Sequence, residues 1–524
     1  MITAISHFAR LARAGFVFAR EGVFSLMDPT QVPVPARTGL RIARLFERRS
    51  VAGKAQRLPA ALTQLGPTYV KLGQFLATRP DIVGVEVARD LETLQDKMPP
   101  FPQAQAESIV ANSLGRPLSQ VFSSFGPAVA AASIAQVHKC EIPTENGPNP
   151  VAVKVLRPDV ERRFKLDLDA FIYAAARAEA MSPEARRLRF IETVATLRRS
   201  VAIEMDLRLE AAALSEMAEN TKKDPDFRVP TVDWDRTAKD VLTLEWIDGT
   251  PLNDIAKLQA KGFDLRHLGA AVIQTFLRHA LRDGFFHADM HPGNLFVDDE
   301  GRLVAVDFGI MGRLGPKERR FLAEILLGFI TRNYRRTAEV HFEAGYVPPH
   351  HSVESFAQAI RAIGEPIHNR AADEISMAKL LMLLFEVTGL FDMQTRPELL
   401  MLQKTMVVVE GVARSLDPKL DMWTVSEPVV REWMERNLGP AGRLEDAAEG
   451  AAEMGRFLSG VPSLMSRGAA MMEHIDSITR DGLVLAPETV AAIGQAEAKR
   501  GRGMTAALWV IAGLLLVLAI QVFR

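Results

Sequence analysis

Apolar residues recur at helical intervals through "ISHFARLARAGFVFAREGVF", with Arg10, Arg13 and Arg20 set among them, which predicts an amphipathic helix at the N-terminus. The stretch lacks the uninterrupted apolar run and cleavage site of a secretory signal. Its arginine-bearing side suits either a membrane interface or packing on the body of the protein. "MDPTQVPVPARTG" (27–39) then reads as a Pro-punctuated linker, and helical periodicity resumes through "LGPTYVKLGQFLATRPDIV" and "LETLQDKMPPF".

From about Ser124 to Leu156 the period changes. "VHKCEI" and "PVAVKVL" are β-branched runs on either side of "PTENGPN", a hairpin connection. A helix-rich stretch follows from Arg157 to about Asn220, and "DVLTLEWIDGTPL" (240–252) predicts a strand ending in a Gly-Thr-Pro turn. Long helices run on to Gly284, then two short strands (295–297 and 303–306) flank an Asp-Asp-Glu-Gly turn. The remainder to about Arg500 is mostly helical, with no internal repeat. The pattern predicts an α+β fold, a small β-containing lobe joined to a larger helical one.

The end of the chain has a different pattern. "MTAALWVIAGLLLVLAIQVF" (504–523) is 20 residues without a charge, long enough at about 1.5 Å per residue to cross a hydrocarbon core of roughly 30 Å. Lys499, Arg500 and Arg502 precede it and only Arg524 follows, which predicts a single-pass anchor with the large body on the cytoplasmic side.

Composition narrows this picture in three ways. A length of 524 residues exceeds one ordinary domain. Lys plus Arg (63) nearly cancels Asp plus Glu (64), which removes any global argument for nucleic acid as a partner. A single cysteine, Cys140, allows neither a disulfide framework nor a Cys-based zinc site, and fits a reducing compartment.

Candidate chemistry concentrates in "FHADMHPGNLFVDDEGRLVAVDFGIMG" (286–312). Read as a metal site, His287, Asp289 and His291 alternate as on one strand face, but Pro292-Gly293 follows at once and no fourth ligand stands at a convincing spacing. Read as a phosphoryl-transfer loop, Asp289 and Asn294 have the interval of His-Arg-Asp-x-x-x-x-Asn, and Asp307-Phe308-Gly309 follows beyond a hairpin. Upstream, "VAVKV" puts Lys154 mid-strand, where its ammonium reaches the α- and β-phosphates of ATP. The order and spacing predict a protein-kinase-like fold in which Asp289 receives or orients a proton while Asn294 and Asp307 hold Mg2+.

His287 takes the place of a structural histidine in that motif, whereas His291 has no counterpart and either orients Asp289, contacts phosphate or is structural. The usual glycine-rich phosphate loop is missing: "GPAVAAASIAQVH" has alanines in its place, each adding a methyl and disfavouring positive φ. After Asp307, "FGIMGRLGPKERRFLAEILLGFI" enters a helix within about six residues and no Ala-Pro-Glu follows, so a peptide-docking platform is not expected.

"AAAS" (130–133), "KLGQ" (71–74), "EMD" (204–206) and "HADMHPGN" together resemble the UbiB family of atypical, protein-kinase-like proteins, which includes mitochondrial and plastid aarF-domain proteins. The likeness runs from roughly Gly66 to Gly312. It implies that Ala130, Ala131, Ala132 and Ser133 cover the nucleotide, and that Lys71 and Gln74 fold over the pocket facing Glu204 and Asp206. The partner of Lys154 is then expected to be Glu210, with Glu204 second, and "LEWIDG" is the hinge, where Glu245, Trp246 and Ile247 meet the adenine.

The implied activity is an ATP- and Mg2+-dependent ATPase supporting ubiquinone biosynthesis at the bacterial inner membrane, or alternatively a true kinase. Membrane lipids, prenylphenol-type quinone precursors and the biosynthetic enzymes are the implied partners. The implied domains are an N-terminal helix and linker (1–55), a helical extension (56–123), an N-lobe (124–246), a C-lobe (247–425), a C-terminal helical region (426–503) and the transmembrane helix (504–523). Two departures stand out: Met290 replaces a proline common in the family, and one span is present where some bacterial members carry two.

Overall fold

The computed structural model describes residues 2–25, 41, 44–48, 53–77, 79–94, 98–181, 186, 189–368, 387, 389–393 and 397–439. The chain divides into two compact units, Met1–Met434 and Glu435–Arg524, and few residues of the second are among those described. The predicted span at 504–523 lies outside them. Among the described residues no helix is long and apolar enough to cross a membrane.

The chain opens with helices α1 (Ile2–Arg20), α2 (Lys54–Leu65), α3 (Pro67–Ala77), α4 (Val85–Glu92) and α5 (Gln103–Leu114). Strands β1 (Ser124–Ala131), β2 (Ala135–Thr144) and β3 (Gly147–Leu156) follow, then α6 (Val160–Met181), α7 (Phe190–Glu204) and α8 (Leu207–Asn220). The first strands join β5 (Val241–Glu245) in an antiparallel sheet of order β1-β2-β3-β5. On β3, Val151, Val153 and Val155 are buried in a cluster with Ala106 and Val110 of α5. Side chains alternate along a strand, so Lys154 points to the opposite, cleft face.

Helix α8 explains the next step. Its buried stripe is Leu207, Glu210, Ala211, Leu214 and Met217, helical spacing with one carboxylate set among apolar side chains. A buried charge needs a partner, and Lys154 on the facing strand provides it. Asp206 starts the helix as its N-cap, accepting from Arg208 N at 3.2 Å.

The second lobe holds a small sheet of order β4-β9-β8-β6, from β4 (Phe227–Arg228), β6 (Thr250–Pro251), β8 (Leu295–Val297) and β9 (Leu303–Ala305). Helix α9 (Leu265–Arg278) ends in a wider π-type turn over His279–Asp283 and stops at Gly284, whose φ of 63° suits glycine. There β7 (Phe285–His287) begins and pairs with β10 (Met311–Arg313), two three-residue strands too short to read in advance. Gly312 lies against the Phe286 ring, where a Cβ would overlap it. Helices α10 (Pro316–Ile330), α11 (Tyr334–Glu343), α12 (Val353–His368), α13 (Pro397–Leu416) and α14 (Met422–Leu438) complete the described chain.

Of the two settings open to the N-terminal helix, the structure shows packing on the body. Arg10 Nη1 donates to Asp167 Oδ1 at 2.6 Å, Thr68 Oγ1 donates to Asp167 Oδ2 at 2.9 Å, and the His7 ring stacks on Tyr173. Asp167 of α6 thereby fastens α1 and α3 together. Phe8 and Phe16 of the same helix remain exposed.

Candidate functional site

The cleft is organised by Lys154. Its Nζ donates to Glu210 Oε1 and Oε2 at 2.8 and 2.9 Å and to Asp307 Oδ1 at 3.0 Å. Burial alone would lower the Lys154 pKa, but the Asp307 and Glu210 charges override it and raise it. Asp307 shows the converse: burial of its inner oxygen pushes the carboxyl up, and Lys154, with Lys71 adding, holds it well below the usual carboxylate range. At Glu210 burial raises the carboxyl against the pull of Lys154 and a hydrogen bond from the Phe308 backbone. Glu210, the first of the two expected partners, meets the lysine; Glu204 is engaged elsewhere.

Asp307 sits at a φ of 64°, a left-handed conformation rare outside glycine and more frequent for Asp and Asn. Its carboxylate is 49% exposed, with Oδ1 on Lys154. Across the loop, Asn294 Nδ2 donates to Asp289 O at 3.1 Å, and Val306 N donates to Asn294 O at 2.9 Å. With its amide nitrogen committed, Asn294 keeps Oδ1 as a ligand atom. Asn294 and Asp307 therefore supply the hard oxygen donors that suit Mg2+.

The histidines are occupied. His287 Nδ1 accepts from Asp289 N at 3.0 Å, which leaves Nε2 as the nitrogen that donates to Val306 O at 3.3 Å. The ring is buried, its pKa lowered by that burial, and it packs edge-on against Phe308. Both ring nitrogens being taken, His287 is no metal ligand, which removes the His-x-Asp-x-His reading. His291 Nδ1 accepts from Gly293 N at 3.0 Å, and Nε2 lies 3.8 Å from Asp289 Oδ2. Gly293 permits this fold-back, because a Cβ there would fall 2.9 Å from the His291 ring.

The N-terminal extension meets the body through a buried ion pair. Lys71 Nζ on α3 lies 2.5 Å from Glu204 Oε2 at the end of α7, and Gln74, one turn on, is half-buried on the same helix face. Gly73 between them lets α3 sit tightly on its neighbours, since a Cβ would press on Leu94 and lie 2.7 Å from Leu62 Cδ1. Asp206 is used differently from expectation: besides capping α8 it pairs with Arg208 at 2.7 Å, and that hydrogen bond lowers its pKa.

The alanine loop is a tight turn. Ala132 N donates to Ala135 O at 2.8 Å, with Ser133 buried inside the turn. Arg157 Nε donates to Ala132 O and Met98 N to Ala131 O, while Arg157 Nη2 reaches Pro99 O, so the loop is clamped to the end of the extension. At the hinge, Glu245 N donates to Thr231 O and its carboxylate accepts from Arg228 at 2.8 Å, while Lys139 lies over the Trp246 ring at 4.5 Å.

Several supporting residues carry no sequence motif. Gln136 Oε1 accepts from Phe101 N, binding the extension to the outer face of the sheet. Its signal was the alternation of Gln136, His138 and Cys140 on one strand face. The single hydroxyl proton of Thr405 on α13 is shared between Met401 O of its own helix at 2.8 Å and Ala288 O at 3.1 Å, which brings the helix against the loop that carries Asp289.

Residues 93–341 match the ABC1 atypical kinase-like domain, and 360–421 match the UbiB helical domain. A protein of Marinobacter nauticus named "Probable protein kinase UbiB" is 40% identical over 443 residues, covering 83% of this chain and 80% of the relative. A Xanthomonas euvesicatoria protein of the same name is 38% identical over 470 residues, covering 87% and 84%. A Mycobacterium tuberculosis protein solved in complex with erythromycin superposes with a TM-score of 0.51 at 26% identity, covering 72% of this chain and 95% of that one.

Proposed function

Because this chain belongs to the UbiB family of atypical, kinase-like proteins, we propose that it is a membrane-anchored ATPase supporting ubiquinone biosynthesis, acting on lipid precursors or on the enzymes that modify them. The observation that carries the reading is the joint arrangement at Lys154: paired with Glu210 as a phosphate-binding lysine requires, within reach of Asp307, with the buried Lys71–Glu204 pair of the extension beside it. A peptide has little to dock on, because β10 and then α10 follow within a few residues of Asp307.

In this reading Lys154 leaves Asp307 for the α- and β-phosphates of ATP, and the alanine turn lies over them. Mg2+ held by Asn294 and Asp307 would neutralise phosphate charge. Asp289, 38% exposed and flanked by His291 Nε2, orients the attacking water. The backbone of Trp246 and Ile247 receives the base. The segment 504–523 anchors the chain in the bacterial inner membrane with the body on the cytoplasmic side, bringing the cleft to prenylphenol-type precursors and membrane lipids.

The test uses the full chain in liposomes with labelled ATP and Mg2+, with and without a phenolic quinone-precursor mimic. Free phosphate that rises with lipid is expected. Label moving onto the mimic or onto a partner protein would replace the ATPase by a true kinase.

A further inference from the structure

One side-chain cluster outside the cleft converges on a single point. The loop between α11 and α12 carries Pro348-Pro349-His350-His351, and Asp392 lies in the short described segment ahead of α13. His351 Nε2 is 3.3 Å from Asp392 Oδ2 and His350 Nε2 is 3.7 Å from the same oxygen. The two imidazoles lie side by side with ring centroids 4.1 Å apart. Among the described residues this is the one group of three His, Cys, Asp or Glu whose ligand atoms all fall within 4.8 Å of one another.

A hydrogen bond accounts for the approach of His351. It does not account for a second imidazole nitrogen held toward the same oxygen at 3.7 Å, beyond hydrogen-bond reach. A four-coordinate ion with bonds of about 2.0–2.1 Å sets its ligand atoms roughly 3.3–3.4 Å apart, close to the two spacings to Asp392 Oδ2 of 3.3 and 3.7 Å, with all three ligand atoms within 4.8 Å of one another. The supports are firm on one side. Two prolines restrict the loop just before the histidines, and His351 packs on Phe391, which meets Phe356 in an apolar cluster with Tyr334 and Ile360. The other side is open, His350 and Asp392 being exposed.

The geometry points to a transition-metal site of the Zn2+ class, held by His350 Nε2, His351 Nε2 and a carboxylate oxygen of Asp392, with solvent completing the coordination. Two imidazoles and one carboxylate are a borderline set that suits Zn2+ and not Mg2+, which prefers oxygen ligands and water. The ion staples the loop after α11 to the segment leading into α13, the helix whose Thr405 holds the Ala288 carbonyl. This site is separate from the ATP cleft and stands whether or not the proposed activity does.

The test takes full-length protein in detergent, without a polyhistidine tag, stripped by chelator and titrated with Zn2+ against a chromophoric competitor, with Co2+ as spectroscopic reporter. One Zn2+ per chain is expected, together with the intense visible Co2+ absorption of a four-coordinate site. His351→Ala and Asp392→Asn should each weaken binding by more than the roughly tenfold typical of losing a mere supporting contact, and Asp307→Asn should leave it unchanged. Asp392 is exposed, so its variant keeps the test decisive if His351→Ala fails to fold. Absence of stoichiometric binding at micromolar free Zn2+, equal affinity in both loop variants, or loss of Zn2+ in Asp307→Asn overturns the proposal.

Discussion

Lys71 Nζ lies 2.5 Å from Glu204 Oε2, and the two side chains are only 12% and 10% exposed. The pair joins the N-terminal extension to the helix that leads into Glu210. Glu204→Gln removes the carboxylate nearest this buried lysine and should lower stability in urea unfolding, by at most the roughly 3–5 kcal/mol of breaking a buried pair. Adding Lys71→Met should return much of the loss. A double variant as unstable as the sum of the singles would mean the two residues are not coupled.

Gly73→Ala should loosen the same contact from behind. Its Cβ would press on Leu94 and Leu62, an overpacking that costs about 1–3 kcal/mol. Adding Leu94→Ala should restore part of the stability, and a thermal-shift series of the two singles and the double reads this directly. No relief in the double would place the strain elsewhere.

Asp289 and Asp307 should separate kinetically. Asp289→Asn is expected to lower turnover by about 10²- to 10⁴-fold with nucleotide affinity retained. Asp307→Asn should remove the Mg2+-dependent part of nucleotide binding, measured with a fluorescent ATP analogue. Unchanged Mg2+-dependent affinity would refute the metal-binding role of Asp307.

Stability should fall on the acid side in two stages. Burial lowers the pKa of His138, His279 and His341 below 6.5, so below about 6.5 the unfolded chain binds more protons and stability drops with pH. Asp224, held down against burial by its hydrogen bonds from Arg282, adds stability that is present above about 3.9 and lost as pH falls further. Urea midpoints should decline between about pH 7 and 5.5 and again below about 4. A flat profile across the first window would contradict the neutral buried state of the histidines.

What could be read in advance was whatever a periodic pattern or a fixed interval carries. Lys154 could be placed because strand alternation and the Val-Ala-Val-Lys run agree. Asn294 and Asp307 could be placed because their intervals from Asp289 bracket a hairpin. The pairing of β7 with β10 was out of reach: each strand is three residues long and the partner is distant in sequence. The helix-capping role of Asp206 is one that an aspartate placed just before a helix takes through the nearby backbone N–H groups. The N-terminal helix stayed ambiguous because amphipathicity names an apolar face without naming what covers it; Asp167 shows one side packed on the body, while Phe8 and Phe16 stay exposed.

The Thr405 hydroxyl, shared between Met401 O of its own helix and Ala288 O, makes a polar contact from the segment matching the UbiB helical domain into the one matching the kinase-like domain. The two modules are therefore not interchangeable parts. A chimera that takes its helical module from another relative keeps a well-held Asp289 loop only if the donor brings a hydroxyl to the same depth, so inheritance is expected to keep the two modules together.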